Sequence, residues 1–172
     1  PAIRTTPSYH DHPLYIEALA ASIERHLAER ETQPDVVVAS YHGIPQSYFR
    51  KGDPYHCTCQ KTSRLLKERL GWEDGRLVTT FQSRFGPEEW LQPYTVEEVA
   101  RLAEDGKKNI AVIAPGFSSD CVETLEEINE EIKESFEEAG GETFTYIPCL
   151  NDDDAHIEMM AAIAEREMAG WL

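Results

Sequence analysis

Positive charge is scarce in this sequence. Sixteen Lys and Arg stand against 32 Asp and Glu in 172 residues, a formal charge of −16. A nucleic-acid binder needs a basic stripe to meet phosphates, so the balance argues against nucleic acid as a partner. It argues equally against an anionic membrane surface as the main partner, while leaving room for a peripheral membrane contact through a local patch. Long apolar runs are missing too: nothing approaches the roughly 18 residues needed to span a bilayer. Cysteine is sparse, at Cys57, Cys59, Cys121 and Cys149. A single domain of this length buries a core without disulfides, so a reducing cytoplasmic setting is expected. "CTC" has neither the C-x-x-C spacing nor the second pair of a structural zinc site. No G-x-G-x-x-G or Walker loop follows any expected strand, which disfavours a nucleotide cofactor. The sequence starts at Pro1 rather than at methionine and reads as a fragment or processed product, so the lack of a signal peptide carries less weight than usual.

What is present is a regular alternation. "PLYIEALAASIERHLAER" carries Leu14, Ile16, Leu19, Ile23 and Leu27 at helical spacing. "DVVVASY" is a β-branched run of the kind buried on both faces of a sheet. A helix follows in "YHCTCQKTSRLLKERLGW" and a strand in "RLVTTFQS". "TVEEVARLAEDG" reads as a helix with Thr95 as N-cap, Glu98 at the capping-box position and Gly106 as its stop. "NIAVIAPG" is a third strand, "SDCVETLEEINEEIKESFEEAGG" one long helix, "TFTYIPCL" a fourth strand and "DDAHIEMMAAIAEREMA" a last helix. Four strands alternating with helices predict one α/β lobe over residues 1–172: an open parallel four-stranded sheet with helices on both faces.

In such sheets ligands bind outside the carboxyl ends of the strands. Those ends read "SYHGIP", "FQSRFGPEEW", "PGFSSDCVE" and "PCLNDDDAH", each mixing ionisable groups with glycine or proline. The opposite ends are plain turns. His42 stands where a strand stops and a Gly-Pro turn starts; it is either a turn histidine satisfied by a carbonyl or a proton acceptor aimed into the site. On the long helix, Asp120, Glu123, Glu127, Glu130, Glu131 and Glu134 form one stripe, opposite Val122, Leu125, Ile128, Ile132 and Phe136. From Glu130 onward a solvated face is the better reading. Asp120 and Glu123 lie in the first turn, beside the expected site, where the helix dipole alone would also favour them. A carboxylate ladder of this kind binds a hard divalent cation or relays protons. Cys121 and Cys149 are expected as small buried side chains, and "HDH" at residues 10–12 as an exposed, incidental run. The irregular stretch from Ser83 to Tyr94 holds two prolines, a glycine and a tryptophan, and is long enough to be functional.

Four segments, "SYHGIPQSYFRKGDPY", "TFQSRFGPEEWLQPYT", "PGFSSDCVETLEEI" and "YIPCLNDDDAHI", resemble the carboxyl-terminal half of ferrochelatases. The similarity runs from about Tyr9 to Met168, with the motifs in family order and at family spacing. Ferrochelatases insert ferrous iron into protoporphyrin IX to form haem, and the resemblance implies that activity. It also implies that His42 takes pyrrole protons or holds the metal, and that Glu123 is the active-site glutamate. Asp120 and Glu127 then belong to an outward ladder for protons or metal. Trp90 and Phe117 match aromatic positions lining the porphyrin cleft, and Tyr41, Ser83 and Arg84 match neighbouring cleft positions. Iron is a substrate here, and no organic cofactor is implied.

Two departures follow from the resemblance. Ferrochelatases resemble two similar lobes with the porphyrin between them. This sequence supplies one, so the isolated polypeptide is expected to be inactive without its amino-terminal partner lobe. Some members hold an iron–sulfur cluster through cysteines in an extension or internal segment. The sequence closes on Trp171–Leu172 and "CTC" is not that pattern, so no cluster is expected. Two other readings stay open: a type II chelatase for cobalt or nickel and another tetrapyrrole, and one lobe of a bilobal protein that captures a small ligand.

Overall fold

The computed structural model describes residues 3–171; Pro1, Ala2 and Leu172 lie outside the described residues. The elements follow in the order α1 (Pro13–Ala28), β1 (Val36–His42), α2 (Gln46–Arg50), α3 (Tyr55–Leu70), β2 (Leu77–Gln82), α4 (Thr95–Glu104) and β3 (Asn109–Ile113). There follow α5 (Val122–Leu125), a π-helix (Glu127–Ile132), α6 (Lys133–Glu138), β4 (Thr143–Ile147) and α7 (Asp154–Glu167). All strand pairs are parallel, in the order β2-β1-β3-β4, so the expected α/β sheet is the one observed.

β1 explains the layering. Its first six residues are all buried, and alternation divides them between two cores. Val37, Ala39 and Tyr41 pack with α1, α3 and α7 on one face. Val36 and Val38 pack with α4, the π-helix and α6 on the other. Burying a valine fully is worth about 1.5–3 kcal/mol, so a polar substitution at Val36, Val37 or Val38 is felt on one core or the other. The chain leaves β1 first toward β2 and later toward β3. The crevice between the carboxyl ends of β1 and β3 is therefore the topological switch point.

Two local expectations are corrected. Thr95 does not cap α4. Tyr94 occupies the cap position, and the Thr95 hydroxyl is buried within 2.8 Å of both Ser40 Oγ and Thr80 Oγ1. Partners from β1 and β2 compete successfully for the hydroxyl that a local cap would have used.

The long helix is also interrupted. A single α-turn, α5, gives way to the π-helix, in which Glu131 N donates to Glu126 O across five residues, before α6 resumes. The wider turn changes the phase of the side chains. Ile128, Ile132 and Phe136 are buried as expected, whereas Val122 and Leu125 are 61% and 51% exposed rather than on the core face. Among the described residues no helix is long and apolar enough to cross a membrane.

Candidate functional site

His42 ends β1 and is half-buried. Its Nδ1 lies 2.7 Å from the Gly43 carbonyl, which can only accept, so in the neutral ring Nδ1 carries the proton and Nε2 keeps its lone pair. The Tyr55 hydroxyl donates to the His42 carbonyl at 2.8 Å and holds the strand end from the α3 side. The Trp90 and Phe117 rings flank the imidazole, each with its centroid 6.2 Å away and its plane tilted by 43°. Trp90 comes from the segment after β2 and Phe117 from the segment after β3, so three strand ends converge on one group.

The segment from Ser83 to Tyr94 is pinned rather than loose. Gln46 N donates to Glu89 O at 2.8 Å, Leu91 N to Ile44 O at 3.0 Å, and Gly43 N to Gln82 O at 2.8 Å. Gly43 is required by this closeness. A Cβ there would stand 2.9 Å from Gln82 O and 3.0 Å from Trp90 Cε3. Gly43→Ala is expected to lower stability by about 1–3 kcal/mol and to displace Trp90. A urea midpoint, together with the difference in fluorescence against a Trp90→Phe background, checks both effects.

Across the crevice, the acidic helix meets the end of β2. Ser83 has φ +60°, a conformation uncommon for a side-chain-bearing residue. That turn aims its N–H and its hydroxyl at Glu127, at 2.5 and 2.6 Å. Glu123 stands at the start of the helix. The Cys121 thiol, its own backbone amide and, more weakly, His42 hold its carboxyl below the usual range. Burial pushes the Cys121 thiol up, and the neighbouring carboxylate adds to this. Ser83, Arg84, Phe85, Val122, Glu123 and Glu127 line an open cleft of about 310 Å³. Arg84 lies over the Tyr94 ring at 4.6 Å.

Not every expected residue meets the others. Asp120 faces β4 instead of the cleft. Its carboxylate accepts from Tyr146 Oη at 2.5 Å, Asn151 Nδ2 at 2.8 Å, and Cys149 N and Thr124 Oγ1 at 3.2 Å each. Burial opposes its ionisation, but these donors outweigh it and hold the carboxyl below its ordinary value. Tyr41 points to the face opposite His42. It is 3% exposed, bonded to Ser63 Oγ at 3.0 Å, and borders a separate cavity of about 180 Å³ with Tyr15, Tyr55 and Gly116. Among the described residues no three His, Cys, Asp or Glu side chains converge into a preformed metal cage, so His42, Asp120, Glu123 and Glu127 are not gathered as one.

All four cysteines are free thiols, with Cys149 buried and Cys121 partly so. The "HDH" run is half-buried instead of exposed: Lys61 pairs with Asp11, and His10 bonds Ser8. Tyr55 and Gln82 went unread in the sequence. A glutamine directly after the apolar Phe81 at a strand's carboxyl end was the available signal for Gln82.

An imidazole flanked by two aromatic rings, near an acidic helix at the switch point of a parallel sheet, has the chemistry to receive a flat ligand and a proton or cation. The comparisons with known proteins fall in the same place. The chain matches the ferrochelatase family over residues 1–168 and belongs to it. It is 66% identical to a ferrochelatase of Rhodobacter capsulatus over 172 residues, all of this chain and 49% of that protein. It is 61% identical to a ferrochelatase of Rhizobium meliloti (strain 1021), covering 51% of it, and 60% identical to one of Rhizobium etli, covering 50%. The chain thus spans about half the length of the curated relatives it matches.

Proposed function

We propose that this chain is the half of a ferrochelatase that carries the metallation site, inserting ferrous iron into protoporphyrin IX. The observation that carries the reading is the His42 Nε2 lone pair held between Trp90 and Phe117 and opposite Glu123. Insertion exchanges two pyrrole N–H protons for one Fe²⁺, so the site needs a base near the ring and an exit for protons. His42 Nε2 accepts a pyrrole proton, and the resulting imidazolium is stabilised by the ionised Glu123. Glu123 and Glu127 then form the start of the path for protons leaving or iron arriving. Trp90 and Phe117 supply apolar faces for the macrocycle, and Ser83 and Arg84 border the same cleft. Asp120 acts on this reading by anchoring the helix start.

The other half of the relatives' length is read as a second lobe that closes the cleft over the porphyrin. The reaction asks for no organic cofactor and no iron–sulfur cluster, and the proposed location is the cytoplasm. Phe85, 83% exposed at the cleft, is the apolar element for a peripheral membrane contact during porphyrin delivery.

The test is iron insertion into protoporphyrin by the full-length protein and by this chain alone. Turnover by the first and at least about a hundredfold less by the second is expected, because an open cleft leaves the ring solvated and unheld. Preference of the full-length protein for cobalt or nickel with a different tetrapyrrole would move the assignment to a type II chelatase. Tight porphyrin-independent binding of a small ligand without any turnover would move it to a bilobal binding protein.

A further inference from the structure

Gln82 is the last residue of β2, is 4% exposed, and links the sheet to the acidic helix. Its carboxamide oxygen accepts the Ser40 hydroxyl at 2.7 Å, which turns the Nε2 end toward the helix. Nε2 donates to the Glu123 carbonyl at 2.6 Å and to Glu127 Oε2 at 3.1 Å. Behind it, Ser40 contacts Thr95 Oγ1 at 2.8 Å, and Thr95 contacts Thr80 Oγ1 at 2.8 Å. Ser40, Thr80, Gln82 and Thr95 are all buried. Gln82 is therefore the member of a buried polar network that reaches the helix.

The place it reaches is where the helix changes register. α5 is a single turn, and the π-helix starts two residues after it stops. Carbonyls at the end of an α-turn need partners from outside the helix. π-turns are rare, so this one needs a partner that rewards it. Glu123 contributes the carbonyl that Gln82 takes and also the carboxylate that feels His42.

We propose that Gln82 is a positioning residue for iron insertion. By donating to the Glu123 carbonyl and the Glu127 carboxylate together, it fixes the π-helical register that sets where both carboxylates stand relative to His42. The proposal rests on the chelatase reading above.

The test uses Gln82→Met in the full-length protein. Methionine keeps the length and approximate volume but loses both ends of the amide. Ile110→Val, a buried change in the core beneath the same helix, serves as the comparison for a general loss of stability. Hydrogen exchange of the Glu127–Ile132 amides is expected to rise about tenfold in Gln82→Met relative to Ile110→Val, with strand amides alike in the two. In the same protein kcat should fall about tenfold while KM for porphyrin stays within about twofold. Helix exchange equal to that of Ile110→Val, or an unchanged kcat, would make Gln82 a space-filling residue and overturn the proposal. Should the unmodified protein insert no iron, the chelatase reading falls and takes the catalytic part with it. Exchange alone then decides whether Gln82 holds the register.

Discussion

His42→Ala in the full-length protein is expected to reduce kcat for iron insertion about a thousandfold, within the range for loss of a positioned general base. Stability should change little. The imidazole is only half-buried and gives up one hydrogen bond, from Nδ1 to the Gly43 carbonyl, worth about 1 kcal/mol. The separation of the two effects is the diagnostic part. A histidine that merely satisfied its turn would cost stability and leave turnover intact.

Glu123→Gln sharpens the same argument. It removes the charge that stabilises an imidazolium while keeping the shape and the Cys121 neighbour, and a loss of about 10- to 100-fold is expected. The double variant should be little worse than His42→Ala alone, because Glu123 then has no imidazolium to stabilise. Strict multiplication of the two losses would show that the residues act in separate steps, with Glu123 serving iron delivery instead. Free imidazole in the assay should restore part of the His42→Ala activity if Nε2 is the base. No restoration, together with a raised KM for iron, would mark His42 as a metal holder.

The parts of this molecule legible in its sequence are those set by local periodicity. β-branched runs and helical apolar spacing gave the four strands, their direction and the edge on which His42, Trp90 and Phe117 meet. The unread parts depend on partners distant in the chain. Thr95 looked like a cap because "TVEE" fits one, and only the fold brings Thr80 and Ser40 to its hydroxyl. The π-helix was hidden because glutamates four apart, as at Glu123 and Glu127, fit an α-helix well. The partner proposed to hold the register, Gln82, is 41 residues away from the carbonyl it meets. Asp120 and Glu123 illustrate the same limit from the other side. Both read as first-turn acids of one stripe, yet Cys149, Tyr146 and Asn151 at the end of β4 claim the first and leave the second to the cleft.

That division gives the largest stability prediction. Asp120→Ala strands the Tyr146 hydroxyl, the Asn151 amide, the Cys149 N–H and a Thr124 contact around one vacated acceptor. Orphaned donors cost about 1–3 kcal/mol each when buried, and partial solvent access here brings the sum to about 3 kcal/mol. The pH dependence has a definite sign. Burial raises the carboxyl pKa, the donors together lower it by more, and the folded value lies below the unfolded one. The carboxylate's contribution is therefore fully present above its ordinary pKa of about 3.9, and is lost as pH falls through the depressed folded value. The stability difference between the unmodified protein and Asp120→Ala, read by denaturation, should be constant from pH 5 to 7, at about 3 kcal/mol. It should narrow below about pH 4 by the part that depends on the charge, because the protonated carboxyl still accepts hydrogen bonds. Asp120→Asn, which keeps an acceptor oxygen but turns an N–H₂ toward Asn151, should fall between them. In this variant, assayed cold so that it stays folded, KM for iron should remain within about twofold of the unmodified protein. A large rise in that KM without the loss of stability would return Asp120 to the metal path and remove it from the scaffold that sets the helix start.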